Sequence, residues 1–137
     1  MINIFNNKKP KYISFLDLQK IIKNQSAYII INTLSFDDQS CLIKNTININ
    51  NEEPVINNLV NNYDYYSKSF VIYGRNANDT SVEDKSNQIF RLGFKNVFIY
   101  KGGLFEWLLL QDIYGFDQFP TNIKILDILK YKPNDIL

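Results

Sequence analysis

The stretch that decides the fold begins with FVIYGRNANDTS at residues 70–81 and closes with GFKNVFIYKGGLFEW at residues 93–107. Its apolar runs at 70–73 and 96–100 predict two strands. The residues between them predict a helix that begins near Thr80 and Ser81 and ends at Gly93. A strand, a loop, a helix and a second strand in this order are typical of a parallel sheet.

The flanking sequence continues the alternation of strands and helices. Residues 28–32 form a continuous apolar run, as expected for a strand buried on both faces of a sheet. Ser14 is placed to cap a helix, with Asp17 three residues later. The expected strands are 12–13, 28–32, 46–49, 70–73 and 96–100. The expected helices are 15–22, a segment around 52–60 with Glu52, Glu53 and Pro54 at its start, 82–92 and 104–113, with helical turns within 35–40 and around 125–129. We therefore predict an α/β domain with a mostly parallel five-stranded sheet and helices on both faces.

Length and composition limit the possible functions. The chain has 137 residues, of which 45% are hydrophobic, so it can bury one core. We expect one domain at residues 1–115 and a tail at 116–137 that packs on the domain or on a partner. A net charge of +1 without a long basic run argues against nucleic acid. No apolar run reaches the ~20 residues that span a bilayer, which argues against a membrane protein.

Cysteine and histidine usage narrows the chemistry further. Cys41 is the only cysteine and histidine is absent, which excludes an internal disulfide and a cysteine zinc cluster and removes the commonest general base. We expect no metal and no cofactor. The abundance of Asn, Ile and Lys suggests an AT-rich genome. We expect a soluble protein of the cytoplasm, or of the host cytoplasm or virion if that genome is viral.

Three segments give the chain a resemblance to a known family. These segments are FVIY at 70–73, LGFKNVFIY at 92–100 and GGLFEW at 102–107, and together they resemble a rhodanese-like domain. Upstream, IIINTL at 29–34 is similar to the family strand that ends in an Asp-x-Arg motif. IKNTINI at 43–49 is similar to its His-Ile-Pro-Gly-Ala-Ile-Asn segment. The resemblance covers residues 12–107 and implies the rhodanese fold.

The departures from the family pattern bear directly on activity. Asn32 and Leu34 replace the family Asp and Arg, Leu42 replaces the His, and Gly74 stands in place of the catalytic cysteine. The resemblance implies a mechanism in which that cysteine carries sulfur as a persulfide within a ring of backbone N–H groups. Glycine has no atom that could attack sulfur or phosphorus. The resemblance therefore implies a domain that is catalytically inactive at the usual position.

Other residues could replace the missing nucleophile. Cys41 is one candidate, but it precedes the expected 46–49 strand, which would place it at the opposite end of the sheet from the loop. Thr80 and Ser81 carry hydroxyl groups, yet no histidine could activate them, and helix capping accounts for both. An active sulfurtransferase or phosphatase-like enzyme with a non-standard nucleophile, and a structural or assembly subunit, remain alternatives.

We predict that the chain is a binding, scaffolding or regulatory module with an unknown protein partner or with self-association. The vestigial active-site loop would form one recognition surface at the carboxyl ends of the strands. Its Arg75 and the helix N-terminus favour weak binding of an anion, whereas Asp79, Glu83 and Asp84 oppose it. The loop comprises Gly74, Arg75, Asn76, Ala77, Asn78, Asp79, Thr80 and Ser81, flanked by Ser35 and Lys101.

Two pairs of adjacent carboxylates and a group of apolar residues near the last helix are further candidates for function. The pairs Asp37-Asp38 and Glu52-Glu53 are interpreted as solvated turns or helix starts and not as acid–base or metal sites. Apolar residues on the last helix and beyond it exceed what one buried helix face requires. Trp107 and the leucines that follow it are expected mostly to pack in the core. An exposed remainder of Trp107, together with Phe105, Phe116 and Phe119, is the candidate for a second, separate interaction surface.

Overall fold

The computed structural model describes residues 8–137, so the start of the predicted 1–115 domain lies outside the described residues. Four parallel strands form one sheet in the order β1-β4-β3-β2. The strands are β1 (Lys11–Tyr12), β2 (Tyr28–Asn32), β3 (Ser69–Tyr73) and β4 (Val97–Tyr100). The helices are α1 (Phe15–Ile22), α2 (Ile49–Asn61), α3 (Ser81–Arg91) and α4 (Gly103–Tyr114), with 3₁₀ helices at Phe36–Asp38 and Ile128–Tyr131. The predicted α/β class and parallel sheet are confirmed.

Each central strand sends alternate side chains to the two faces of the sheet, as the two-residue period of a strand requires. In β3, Val71 and Tyr73 pack with α1, α4 and the tail, whereas Phe70 and Ile72 pack with α2 and α3. All four side chains are completely buried. The sheet is thus covered on both faces, which explains the continuous apolar sequence of its strands.

The predicted strand at 46–49 is wrong. Thr46 makes a single parallel bridge to Ile30, with the Ile47 N–H donating to the Ile30 carbonyl at 2.8 Å. The chain then turns into α2, because the Asn48 side chain accepts a hydrogen bond from the Asn50 N–H at 2.8 Å and caps the helix. Helix α2 therefore starts before the predicted segment, and Pro54 lies inside it.

Capping also decides where the other helices begin. The Ser14–Asp17 capping box of α1 is present, with both reciprocal hydrogen bonds formed. At α3 the prediction that Thr80 and Ser81 cap the helix is wrong, since the Thr80 side chain makes no capping bond. The oxygen that accepts from the first helical N–H group belongs to Asp79 instead.

Candidate functional site

The loop from Gly74 to Ser81 joins β3 to α3 at the carboxyl edge of the sheet and rests on the start of α4. The N–H groups of Leu104 and Phe105 donate to the Gly74 and Arg75 carbonyls at 2.9 and 3.0 Å. Gly103 has a φ of +71°, and a Cβ atom there would lie 2.8 Å from the Gly74 carbonyl oxygen. The glycine at 103 is therefore required both by its backbone conformation and by the close approach of the loop.

The centre of the loop is filled by the carboxylate of Asp79. Its Oδ2 accepts from the Arg75 N–H at 2.9 Å, and its Oδ1 accepts from the Ser81 N–H at 3.0 Å and from Ser81 Oγ at 2.5 Å. Burial by itself would raise the pKa of Asp79, but these hydrogen bonds outweigh it and hold the pKa below its ordinary value. The Asp79 carboxyl group is therefore ionised at neutral pH.

Gly74 is small because Asp79 occupies the space beside it. A Cβ atom at position 74 would lie 2.4 Å from Asp79 Oδ2 and 2.9 Å from Thr33 Oγ1. The backbone makes no such demand, since the glycines with positive φ within residues 8–137 are Gly93, Gly103 and Gly115. A side chain at position 74, including the cysteine that the family resemblance implies there, would collide with the carboxylate.

The backbone donors that a rhodanese-like loop would offer to an anion are largely engaged within the loop. The Asn78 N–H donates to Asn76 Oδ1 at 3.0 Å and the Asp79 N–H to the Asn76 carbonyl at 3.1 Å. The N–H groups of Arg75 and Ser81 bond Asp79, as described above. The carboxylate of Asp79 thus lies in the loop where weak binding of an external anion was predicted.

The tail covers the loop from outside. Asn76 Nδ2 donates to the Tyr131 carbonyl at 3.0 Å, and the Arg75 guanidinium lies 5.0 Å from the centre of the Tyr131 ring. Arg75 also donates to the Lys130 carbonyl and pairs with Asp38 at 3.1 Å. Burial by itself would raise the pKa of Asp38, but the hydrogen bond from Ser35 and the charges of Lys130 and Arg75 outweigh burial and hold the pKa below its ordinary value. Asp38 lies in the first turn of the Phe36–Asp38 3₁₀ helix, which agrees with the predicted helix start, and it also belongs to an ion-pair cluster with Arg75 and Lys130.

The remaining loop residues divide into exposed and bonded groups. Ala77, Asn78 and Thr80 are exposed at the tip of the loop. Of the flanking residues, Ser35 donates to Asp38 Oδ2 at 3.1 Å and Lys101 pairs with Glu83 at 3.2 Å. The tip is therefore the most exposed part of the predicted recognition loop, while Arg75, Asp79 and Ser81 are partly buried.

Half of the predicted apolar interaction surface is buried. Trp107 and Phe119 are 0% and 3% exposed, and their rings make an edge-on contact with centres 5.0 Å apart. The tail folds back over α4, where Trp107 Nε1 donates to the Pro120 carbonyl at 3.1 Å. Trp107 thus belongs to the core, as the core-packing interpretation predicted, and Phe119 contributes little exposed surface, whereas Phe105 is half-buried and Phe116 is exposed.

The two groups considered as substitute nucleophiles are both constrained. Cys41 is fully buried, and burial raises the pKa of its thiol, with a smaller opposing effect from the Lys130 charge. Its Sγ lies 3.6 Å from the Ile123 carbonyl oxygen of the tail. The Ser81 hydroxyl, besides its bond to Asp79, is 2.7 Å from Thr33 Oγ1. Ser81 also lines an open surface cleft of about 320 Å³ together with Glu52, Asp84 and Lys85, but its hydroxyl proton is directed to Asp79 or Thr33 within the loop.

Thr33 and Tyr131 complete this arrangement and were not predicted from the sequence. Thr33 follows β2 and Tyr131 lies in the tail, far along the chain from the loop. Only the position of Thr33 directly after a strand could have indicated its place at this edge. Within residues 8–137 no cluster of three or more acidic or cysteine side chains could hold a metal ion.

A parallel sheet with helices on both faces, and a loop between β3 and α3 lined by backbone N–H groups, define an α/β domain of the rhodanese type. The chain belongs to the rhodanese-like domain family, whose family model matches residues 6–110. None of the curated proteins compared with the chain is significantly similar to it in sequence. No helix of the described part of the chain is long and apolar enough to cross a membrane.

Several solved structures share this fold. A protein from Bacillus halodurans has a TM-score of 0.60 at 20% identity, over 82% of this chain and 79% of its own. A single-domain sulfurtransferase from Saccharomyces cerevisiae gives 0.55 at 17%, over 79% and 96%. A yeast protein tyrosine phosphatase of the rhodanese family gives 0.55 at 12%, over 82% and 91%. At these identities the similarity establishes the fold and not the activity.

The family positions that differ upstream have structural roles here. Asn32 is buried, and its Oδ1 accepts from the Leu34 N–H at 3.1 Å while its Nδ2 donates to Gln39 at 3.0 Å. Leu34 and Leu42 are buried in the core under the tail. Residues that the family pattern would make polar thus contribute to packing and to a turn.

Proposed function

We propose that this chain is a catalytically inactive rhodanese-like domain that serves as a binding or scaffolding module. The observation that carries the proposal is the Asp79 carboxylate, which occupies the space of a side chain at position 74 and is bonded by the Arg75 and Ser81 N–H groups. With the Asp79 carboxylate in this space, the domain keeps a surface that can bind a partner but has no room for a reactive side chain at position 74.

Sulfur transfer requires a thiolate that takes the sulfane sulfur of a donor such as thiosulfate while sulfite leaves. Position 74 has no thiol, and two of the backbone donors that would stabilise the anionic intermediate, the Arg75 and Ser81 N–H groups, already bond a carboxylate. Phosphoryl transfer fails at position 74 for the same reasons. A substitute thiol at Cys41 would have to leave the core before it could react, because the side chain is fully buried.

The test measures thiosulfate sulfurtransferase and aryl phosphatase activity of the wild-type protein, with Cys41→Ser as a control. We expect no turnover above that of a buffer blank in either protein. Thiosulfate-dependent turnover in the wild type that Cys41→Ser abolishes would contradict the proposal, and so would phosphatase activity of the purified chain. Removal of contaminating enzymes is checked by the same assays on a Gly74→Ala preparation.

A second set of variants tests the role of Asp79. Gly74→Cys alone introduces a thiol but leaves the Asp79 carboxylate beside it. The double variant Gly74→Cys with Asp79→Ala also removes the carboxylate, so the Arg75 and Ser81 N–H groups become available to an anion. We expect thiosulfate to place a persulfide on position 74 in the double variant, detected by intact mass, and much less in the single variant. Equal persulfide formation in both would show that Asp79 does not block the site.

A further inference from the structure

A shallow cleft of about 600 Å³ opens at the surface where α1 and α4 meet the tail. Three aromatic residues line it, with the Phe15 and Tyr114 ring centres 5.7 and 6.1 Å from that of Phe119. Leu110 and the side chains of Gln19 and Gln118 complete the lining, so none of the lining residues is charged. We call this the apolar cleft.

A second cleft of about 320 Å³ adjoins it and has the opposite character. The two share Gln19 and Gln118, and Gln19 Nε2 donates to the Gln118 carbonyl at 2.7 Å. Lys20, Lys23 and Lys44 line this basic cleft, against one carboxylate, that of Asp117. In the described part of the chain none of these three lysines has a carboxylate within ion-pair distance.

We propose that the apolar cleft and the basic cleft together bind an acidic segment of a partner protein. An aliphatic or aromatic side chain of that segment would enter the apolar cleft, and neighbouring Asp or Glu carboxylates would pair with the three lysines. Charge complementarity supports this choice, because three unpaired cations concentrate beside an uncharged pocket in a chain whose net charge is only +1. The inference rests on the proposed role as a binding module and names the class of partner.

The shape of the surface favours a peptide over an anionic membrane. The ring of Phe119 at the base of the apolar cleft is only 3% exposed, whereas Tyr114 beside it is 64% exposed. A cleft with a buried ring at its base and one raised aromatic wall fits a single inserted side chain, whereas a bilayer would contact a broad apolar surface. The location is also distinct from the vestigial loop, because it involves neither α3 nor the Gly74–Ser81 segment.

The experiment measures binding of fluorescein-labelled synthetic peptides by anisotropy. The test peptide carries a Phe-Leu pair followed by four Glu residues, and the controls replace Glu by Lys or Phe-Leu by Ser-Ser. Two triple variants change the charge of the protein equally. The cleft variant is Lys20→Ser with Lys23→Ser and Lys44→Ser, and the matched variant is Lys11→Ser with Lys124→Ser and Lys132→Ser. Tyr114→Ser tests the apolar cleft.

We expect the acidic apolar peptide to bind at least about tenfold more tightly than either control peptide, and binding to weaken as salt is raised. The cleft variant and Tyr114→Ser should each lose about tenfold in affinity, and the matched variant should lose much less. Circular dichroism confirms that each variant is folded. Equal losses in both triple variants, or no preference among the peptides, would overturn the inference.

Two other outcomes would also count against it. The wild-type protein could fail to bind the peptides and instead sediment with phosphatidylserine vesicles. If the cleft variant did not sediment with them, the surface would be assigned to membranes. Self-association by light scattering that Tyr114→Ser abolishes would assign it to a second copy of the chain. Catalytic turnover in the assays above would refute the inactive-module proposal without affecting these binding measurements, so the two failures can be told apart.

Discussion

The fit of Asp79 against Gly74 predicts that substitutions at the two positions are strongly coupled. In the wild type, Gly74→Ala would bring its Cβ to 2.4 Å from Asp79 Oδ2, so the carboxylate must move. Overpacking of this kind costs about 1–3 kcal/mol, and each weakened hydrogen bond to a charged group about 1.5–3 kcal/mol. Because the loop can relax in part, we expect a loss of ~2–4 kcal/mol in the free energy of unfolding.

The same substitution should be harmless once the carboxylate is gone. In the Asp79→Ala background the nearest remaining atom is Thr33 Oγ1, the end of a side chain that can rotate. Gly74 has an ordinary backbone conformation, so alanine there reduces the entropy of the unfolded chain and contributes about 0.4–1 kcal/mol of stability. Asp79→Ala by itself should cost about 1–3 kcal/mol, because α3 loses its capping oxygen and Arg75 its acceptor.

The assay is urea unfolding of the wild type, both single variants and the double variant. Far-ultraviolet circular dichroism and the fluorescence of Trp107, the only tryptophan and fully buried, report the same transition. The expected coupling energy is ~2.5–5 kcal/mol, the loss of ~2–4 kcal/mol in the wild-type background plus the gain of about 0.4–1 kcal/mol in the Asp79→Ala background, and it is well above the ~0.5 kcal/mol scatter of independent sites. Additive effects within that scatter would refute the argument that Asp79 is the reason for glycine at position 74.

Three further predictions concern pH, a buried thiol and a pair of glycines. The depressed pKa of Asp79 means that its carboxylate stabilises the fold above the unfolded pKa of about 3.9, and that this stabilisation is lost as the pH falls through the lower folded pKa. Wild type should therefore exceed Asp79→Asn in stability at pH 7. In acid unfolding curves the difference should begin to shrink below pH ~4 and should disappear only below the folded pKa of Asp79; a constant difference would contradict this. Cys41 should resist iodoacetamide at pH 8 in the folded protein and react in urea, as followed by mass spectrometry, and rapid native labelling would show that its burial is incomplete. Gly103→Ala should lower the free energy of unfolding in urea by about 2–4 kcal/mol, because position 103 combines a positive φ with a close backbone contact. Gly102→Ala would meet only the Glu106 side chain and should lower it less. Equal losses would contradict the role assigned to Gly103.

The fold was predictable because its strands and helices carry strong local signals. The apolar runs of β2, β3 and β4 and the capping box of Ser14 lie in continuous segments whose pattern does not depend on distant residues. The segment at 46–49 has the same β-branched composition, yet the amide of Asn48 supplies a helix cap that ends any strand there. A strand-forming composition and a capping residue compete, and local pattern alone did not decide between them.

The candidate site was only partly predictable, since its contacts join distant parts of the chain. The absence of a nucleophile at Gly74 follows from one residue and was evident in the sequence. That Asp79 turns inward follows from the geometry of the loop, because the same acidic residue near a helix start could equally face solvent. The bonds from Asn76 and Arg75 to the tail span 55 residues, and no periodicity in the sequence indicates them.

The position of Asp79 also affects how readily such a domain could regain sulfur chemistry during evolution. A single replacement of Gly74 by cysteine would meet the carboxylate at once, so that step alone carries a stability cost and no benefit. Removal of Asp79 first would weaken the helix start without any gain in reactivity. Each single step is expected to be unfavourable in isolation, so the packing of these two side-chain positions would oppose the stepwise introduction of a cysteine at position 74.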